Sequence, residues 1–318
     1  MRPLNLLSIV APAYNERENL GAFVSRVRAA VEPLGCDWEI IVVDDGSTDG
    51  SDDVLRALHA EDARIKALRL SRNFGHEPAS TAGLEAARGD AVILLDADLQ
   101  DPPELIPDLV TAWRTGCEVV SAVRTSRNGE GVLKRVTAHA FYRVMDRLTR
   151  WDFPTDAGNY RLIDRKALDA FLACGERARL VRALTAWTGF QQGTVEFDRP
   201  ARTHGRTKYN WVRMISLGLI AVTTYSNDPL RVASVIGVVI APLAALAGLA
   251  LILAALAGYG VSMGAFALVS VWFLGGVQCI LLGIIGEYLG KVAIEARHRP
   301  LYFVTERVGI DKPSRPTE

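Results

Sequence analysis

At 318 residues, with 36 Lys+Arg balancing 36 Asp+Glu, the chain has room for one large or two ordinary domains and lacks the net basic field that draws nucleic acid. A mean hydropathy of +0.15 excludes an ordinary soluble composition throughout. Cys36, Cys117, Cys174 and Cys279 stand singly, without CxxC spacing, as in a reducing compartment.

The first 125 residues alternate strand and helix signals. Strands are predicted at Leu6–Ala11, Trp38–Asp44, Ile65–Leu70, Ala91–Leu95 and Val119–Ala122. Between the first two, Leu20, Phe23, Val24, Val27, Val31 and Leu34 recur every three to four residues, the stripe of a helix lying on a sheet. Pro103–Thr115 reads as a second such helix. Repeated strand–helix units predict an α/β fold, a mostly parallel sheet with helices on both faces. The first strand begins almost at once, so no cleavable targeting segment is expected.

From Arg124 to Asn210 the character changes. Arg124, Arg127, Lys134 and Arg135 bracket the turn signal Asn128-Gly129-Glu130-Gly131, and two polar, Gly-containing loops are predicted at Asp156–Leu162 and Thr203–Tyr209. Trp211, Ile215, Leu219 and Val222 share one helical face, either an interfacial helix or an ordinary core helix.

The high hydropathy is local. About 55 residues from Val232 to Gly286 carry no Asp, Glu, Lys or Arg, against roughly 20 for one membrane span. This predicts two spans turning at Gly258–Gly264, with a helical hairpin buried in a soluble core as the alternative. Arg231 precedes the first span and Lys291, Arg297 and Arg299 follow the second, so the positive-inside rule puts both ends in the cytoplasm. The expected organisation is a sheet domain over 1–210, an interfacial region over 211–230, two transmembrane helices over 231–290 and a cytoplasmic tail over 291–318. The expected location is the plasma (inner) membrane, multi-pass.

Asp96-Ala97-Asp98 ends the apolar run Ala91–Leu95. Strand alternation puts both carboxylates on one side, at the C-terminal end where open α/β sheets bind ligands. Two such oxygens suit a hard divalent cation that keeps positions open for substrate phosphates; an isolated pair of acids could equally start a turn. Loops after the first three strands, Pro12-Ala13-Tyr14-Asn15-Glu16, Asp44–Gly50 and Ser71–His76, supply aromatic and acidic groups for a nucleotide. Neither a GxGxxG turn nor a Walker phosphate loop is present.

PAYNERENL, VDDGSTDG, LSRNFGHE, DADLQDPPEL, DAGNYRL, GRTKY and GEYLGK occur in this order across nearly the whole chain. Together they resemble the family 2 glycosyltransferases, specifically the polyprenyl-phosphate hexosyltransferases related to dolichyl-phosphate mannose synthase and bactoprenol glucosyltransferase. The resemblance implies a GT-A nucleotide-sugar domain that moves a hexose, with inversion, from a nucleoside diphosphate sugar to a membrane polyprenyl phosphate. It implies that Pro12, Tyr14, Glu16 and Asp44 hold the nucleoside, with Asp45 a further contributor. Asp96 and Asp98 would hold Mg2+ or Mn2+, and Gln100 would lie near the sugar. Arg124, Arg135, Arg202 and Lys208 would receive the acceptor phosphate or steady the diphosphate. UDP-glucose is the donor expected first, with a GDP-mannose-dependent mannose synthase or a non-catalytic nucleotide-sugar-binding membrane scaffold as alternatives. The family also suggests a homo-oligomer.

One position departs from the pattern. Asn159 stands where many relatives have the Asp regarded as catalytic base, and an amide cannot take up that proton. A phosphate monoester has a second pKa near 6 and is largely dianionic at neutral pH, so it needs little help from a base. Asp156 is the alternative carboxylate, although an Asx-type turn into Ala157-Gly158 accounts for it too.

Overall fold

The computed structural model describes residues 2–124, 157–176, 179–197 and 263–311, with five isolated positions between 246 and 257; at 124, 157 and many positions of 263–296 only the backbone is described. Apart from those five positions, the first predicted span lies outside the described residues, as do the interfacial region, Arg135, Asp156, Arg202 and Lys208.

The sheet grows from β1 (Leu6–Ala13), β2 (Asp37–Asp44), β3 (Ile65–Leu70) and β4 (Ala91–Leu94), all parallel, with Ile9 opposite both Ile40 and Ile93. These strands read as nearly unbroken apolar runs because both faces are covered. On one face, α1 (Arg17–Val31) buries Leu20, Phe23, Val24, Val27 and Val31, and α4 (Ile106–Arg114) buries Ile106, Leu109, Val110 and Trp113. Each such large side chain contributes about 1.5–3 kcal/mol by leaving water. The opposite face receives α3 (His76–Ala86), which follows α2 (Ser51–Glu61) and β3 in the chain. Gly83 lets α3 sit close to the sheet: a Cβ there would fall 2.3 Å from Val10 Cγ1 and 3.0 Å from Val43 Cγ2.

Beyond β4 the sheet changes direction. β5 (Val119–Arg124) and β6 (Ala157–Asp164) are antiparallel to each other, β6 is antiparallel to β4, and β7 (Gln192–Phe197) runs parallel to β5. Between β6 and β7 lie α5 (Arg165–Ala173) and α6 (Val181–Trp187). The spatial order is β7-β5-β6-β4-β1-β2-β3-β8, with β8 (Val304–Val308) antiparallel to β3. The predicted α/β, mostly parallel sheet is therefore present. Strand order reverses between β1 and β4, the switch point where open α/β sheets receive ligands.

Three segments differ from expectation. The stretch predicted as a loop at Asp156–Leu162 is mostly β6, because Tyr160 and Leu162 alternate into the core on either side of Arg161. The predicted tail re-enters the sheet as β8, with Arg56 bonding to Glu306 through Nε at 2.9 Å. The predicted helix at Pro103–Thr115 starts as a 3-10 turn, Pro103–Leu105, before α4.

The chain divides into two compact units. One holds the sheet, including the segment from Arg299 onward; the other comprises Arg143–Arg150 and Thr207–His298. In the second, α7 (Met263–Ala296) runs for 34 residues through the second predicted span. Many of its side chains are outside the described set, and among the described residues no helix is long and apolar enough to cross a membrane.

Candidate active site

The loops after β1, β2 and β3 are tied together by their own polar groups. Asn15, in the left-handed region at φ 57°, donates from its backbone N–H to Ser47 Oγ at 2.9 Å and accepts from Thr48 N at 2.9 Å. The buried Asp44 accepts from Ser47 N through Oδ1 at 2.8 Å. Among the described residues its Oδ2 is buried without a hydrogen-bond partner, and Arg69 Nε lies 3.5 Å away. Asp45 turns inward: its two oxygens accept from Phe74 N at 2.7 Å and Gly75 N at 2.9 Å, while burial pushes its carboxyl up against those bonds. Pro12 lies within β1, and Tyr14 just after it is exposed.

Acidic charge gathers beside these loops. Burial raises the Glu16 carboxyl above its ordinary range, opposed by a hydrogen bond from Asn19 and reinforced by the charges of Asp98, Asp49 and Asp96. Asp98 accepts from Gln100 N through Oδ1 at 3.0 Å, and Leu99 between them has φ 59°. This tight turn follows β4 and is closed by the Asp98 side chain on the backbone of Gln100.

Asp96 meets a residue to which the sequence reading gave no role. His76, the first residue of α3, pairs through Nε2 with Asp96 Oδ1 at 2.7 Å, and its Nδ1 lies 3.2 Å from Asn159 Nδ2. Burial acts to lower the imidazole pKa, but the hydrogen bond and charge of Asp96, with Glu77 and Asp45, turn the net direction upward. Asn159 is held in turn by its neighbour in β6. The buried Arg161 donates to Asn159 O at 3.3 Å, Gly158 O at 2.8 Å and Thr185 Oγ1 at 2.9 Å, and burial lowers its pKa to about 10.

The structure thus brings Glu16, Asp96, Asp98, His76 and Asn159 into one neighbourhood at the ends of β1, β4 and β6. Arg124 ends β5 and is described by its backbone alone. Among the described residues no group of three or more His, Cys, Asp or Glu is arranged to hold a metal by itself. The donor set nevertheless fits a hard cation that completes its shell with substrate oxygens, since Asp96 and Asp98 offer carboxylate oxygens and load negative potential onto Glu16.

The family described as "Glycosyl transferase family 2" matches residues 8–172. An uncharacterized glycosyltransferase of Synechocystis sp. is 43% identical, over 96% of this chain and 96% of that protein. A bactoprenol glucosyl transferase of Shigella phage SfV is 38% identical, over 94% of this chain and 97% of its own. The undecaprenyl-phosphate 4-deoxy-4-formamido-L-arabinose transferase of Pseudomonas fluorescens is 39% identical, over 99% and 93%.

Proposed function

Because this chain belongs to glycosyl transferase family 2, we propose that it transfers a hexose, with inversion, from a nucleoside diphosphate sugar to a polyprenyl phosphate. The observation that carries this reading is the pair Asp96 and Asp98 at the switch point, with Glu16 under their charge. Relatives named for bactoprenol and undecaprenyl phosphate, alike over nearly their whole length, support the lipid acceptor.

The residues divide the work by their chemistry. Asp44 Oδ2, without a hydrogen-bond donor among the described residues, is a buried acceptor for a donor on the nucleoside, since buried polar oxygens ordinarily have one. Tyr14, directly after Ala13, the residue paired with Asp44, offers an exposed ring. Asp96 and Asp98 would hold Mg2+ or Mn2+, which when bound offsets negative charge developing on the departing nucleoside diphosphate. The anomeric C–O bond to the diphosphate breaks as an oxygen of the acceptor phosphate bonds to the opposite face of the same carbon. That acceptor is largely dianionic at neutral pH, so Asn159 serves by orienting rather than by removing a proton. Arg124, Arg135, Arg202 and Lys208 are assigned to phosphate charge, and Gln100 to the sugar.

The same reading places two spans within 231–290 and keeps the sheet unit on the cytoplasmic side. The 34-residue length of α7 leaves room for the second of these spans, because at about 1.5 Å per residue it exceeds the roughly 30 Å hydrocarbon core. UDP-glucose is the first donor to try. Full-length chain in vesicles containing undecaprenyl phosphate, given radiolabelled UDP-glucose, UDP-galactose, GDP-mannose or UDP-N-acetylglucosamine in turn, should move label from one donor into organic-extractable lipid. Binding of nucleotide sugar with no transfer from any donor would instead favour the non-catalytic scaffold, the reading that Asn159 supports.

A further inference from the structure

His76 joins three features that the sequence keeps far apart. It opens α3 directly after Gly75, whose φ of 101° turns the chain out of the β3 loop. That loop is fixed by Asp45 through Phe74 N and Gly75 N. The helix behind it is fixed by the close approach of Gly83 to Val10 and Val43, and Ser80 Oγ donates to His76 O at 2.9 Å. The imidazole is therefore presented from an anchored helix end toward Asp96 on one side and Asn159 on the other.

Its two ring nitrogens are used differently. Nδ1 faces Asn159 Nδ2 at 3.2 Å and Ser80 Oγ at 3.3 Å; an amide N–H donating to Nδ1 favours the tautomer whose hydrogen sits on Nε2 and points at Asp96 Oδ1. A hydrogen bond of this kind fixes one oxygen of Asp96 and so orients its carboxylate. Partners in this outer position around cation-binding carboxylates are worth about 10–100-fold in metal affinity.

We infer that His76 is a positioning residue, oriented by Asn159, that sets Asp96 for the divalent cation. The inference rests on the donor-site reading above and deepens it: the amide at 159 acts on the cation side of the site through the imidazole. Asn159 is then not merely a lost base. Its N–H favours the tautomer in which Nε2, the nitrogen facing Asp96, carries the hydrogen.

The test is Mn2+ binding to the full-length chain in detergent, followed by electron paramagnetic resonance of the free ion, alone and with UDP or GDP. His76→Leu should raise the Mn2+ midpoint by about 10–100-fold, and His76→Gln, which keeps an N–H donor of similar reach, should recover most of that loss. Asn159→Leu should shift the midpoint in the same direction. The double variant His76→Leu/Asn159→Leu should bind Mn2+ no more weakly than His76→Leu alone, because Asn159 works through the imidazole. Additive losses, or an unchanged midpoint in His76→Leu, would overturn the inference. If His76→Leu fails to fold, His76→Gln and Asn159→Leu still decide: a full Asn159→Leu loss in a His76→Gln background would count against it. A wild-type chain that takes up no Mn2+ with either nucleotide would overturn the donor-site reading itself, and this inference with it.

Discussion

Gly46 presses directly on the backbone of Arg72: a Cβ built on Gly46 would lie 2.5 Å from the carbonyl carbon of Arg72 and 2.7 Å from its Cα. The loops after β2 and β3 are thereby locked together, with Asp45 bonding across the same junction. Gly46 also has φ +73°, where a side chain costs roughly 1–2 kcal/mol. Gly46→Ala should therefore lower the thermal midpoint and raise KM for the nucleotide sugar more than it lowers kcat, since the displaced loops belong to the proposed nucleoside side. A variant with unchanged midpoint and KM would show that the two loops move independently.

The segments that carry this junction were legible for a physical reason. β1 to β4 are buried on both faces, so each reads as an apolar run ended by polar turns, and the stripe from Leu20 to Val31 has the period of a helix on a sheet. β6 was hidden because its alternation places Asn159 and Arg161 opposite Tyr160 and Leu162, so a Gly-containing polar stretch resembles a loop. β8 was hidden because its partner β3 lies more than 200 residues earlier and its own sequence, VTERV, is only partly buried. His76 carried a signal in its place after a strand and a Gly. Its meeting with Asp96 and Asn159, however, depends on strand order, which periodicity does not encode.

Asp98 accepts from Gln100 N, so its replacement tests charge and turn geometry separately. Asp98→Asn keeps an oxygen for that backbone N–H and should retain the wild-type thermal midpoint. It should still lose activity by about 10²–10³, the typical cost of one electrostatic contact to developing charge. Asp98→Ala should lose as much activity and some stability. Near-normal transfer in the presence of EDTA would remove the divalent cation from the account.

Arg161 is a buried cation whose donors are spent on Gly158 O, Asn159 O and Thr185 Oγ1. Thr185→Val removes one acceptor and leaves a buried guanidinium N–H unpaired, a cost of about 1–3 kcal/mol. Arg161→Met removes the donors instead and frees two carbonyls beside Asn159. Denaturation should show both variants destabilised, and Arg161→Met should in addition lower kcat because it loosens the strand that carries Asn159. Equal kcat in wild type and Arg161→Met would separate Arg161 from the site.

The acid limb of stability has a local contributor in Asp62. Side-chain hydrogen bonds from Arg64 hold its carboxyl down to about 2, against burial and with the further charge of Arg28. A carboxylate depressed in the folded state stabilises fully above its unfolded pKa, near 3.9, and that contribution fades as pH falls toward the folded value. Asp62→Asn should therefore be less stable than wild type at pH 6, with the gap closing between about pH 4 and pH 2. Thermal midpoints of the two proteins across that range measure it; a gap independent of pH would assign the loss to hydrogen bonding rather than to charge.

Asn159→Asp puts a carboxylate where an amide N–H now faces His76 Nδ1. The new acceptor would favour a hydrogen on Nδ1, which leaves the imidazole between two carboxylates, that of Asp96 and the introduced one. If the acceptor phosphate dianion is its own sufficient nucleophile, this change should alter kcat only modestly. The wild-type rate should then rise with pH through the second ionisation of the phosphate, near pH 6, and level off above it. Measured with the donor and lipid that support transfer, a gain of about 10²-fold or more in Asn159→Asp, the range of a positioned base, would mean that proton removal limits the natural chain. In that case the amide at 159 would mark a weakened enzyme. A modest change with the same pH profile would show that proton removal by a group at 159 does not limit the reaction.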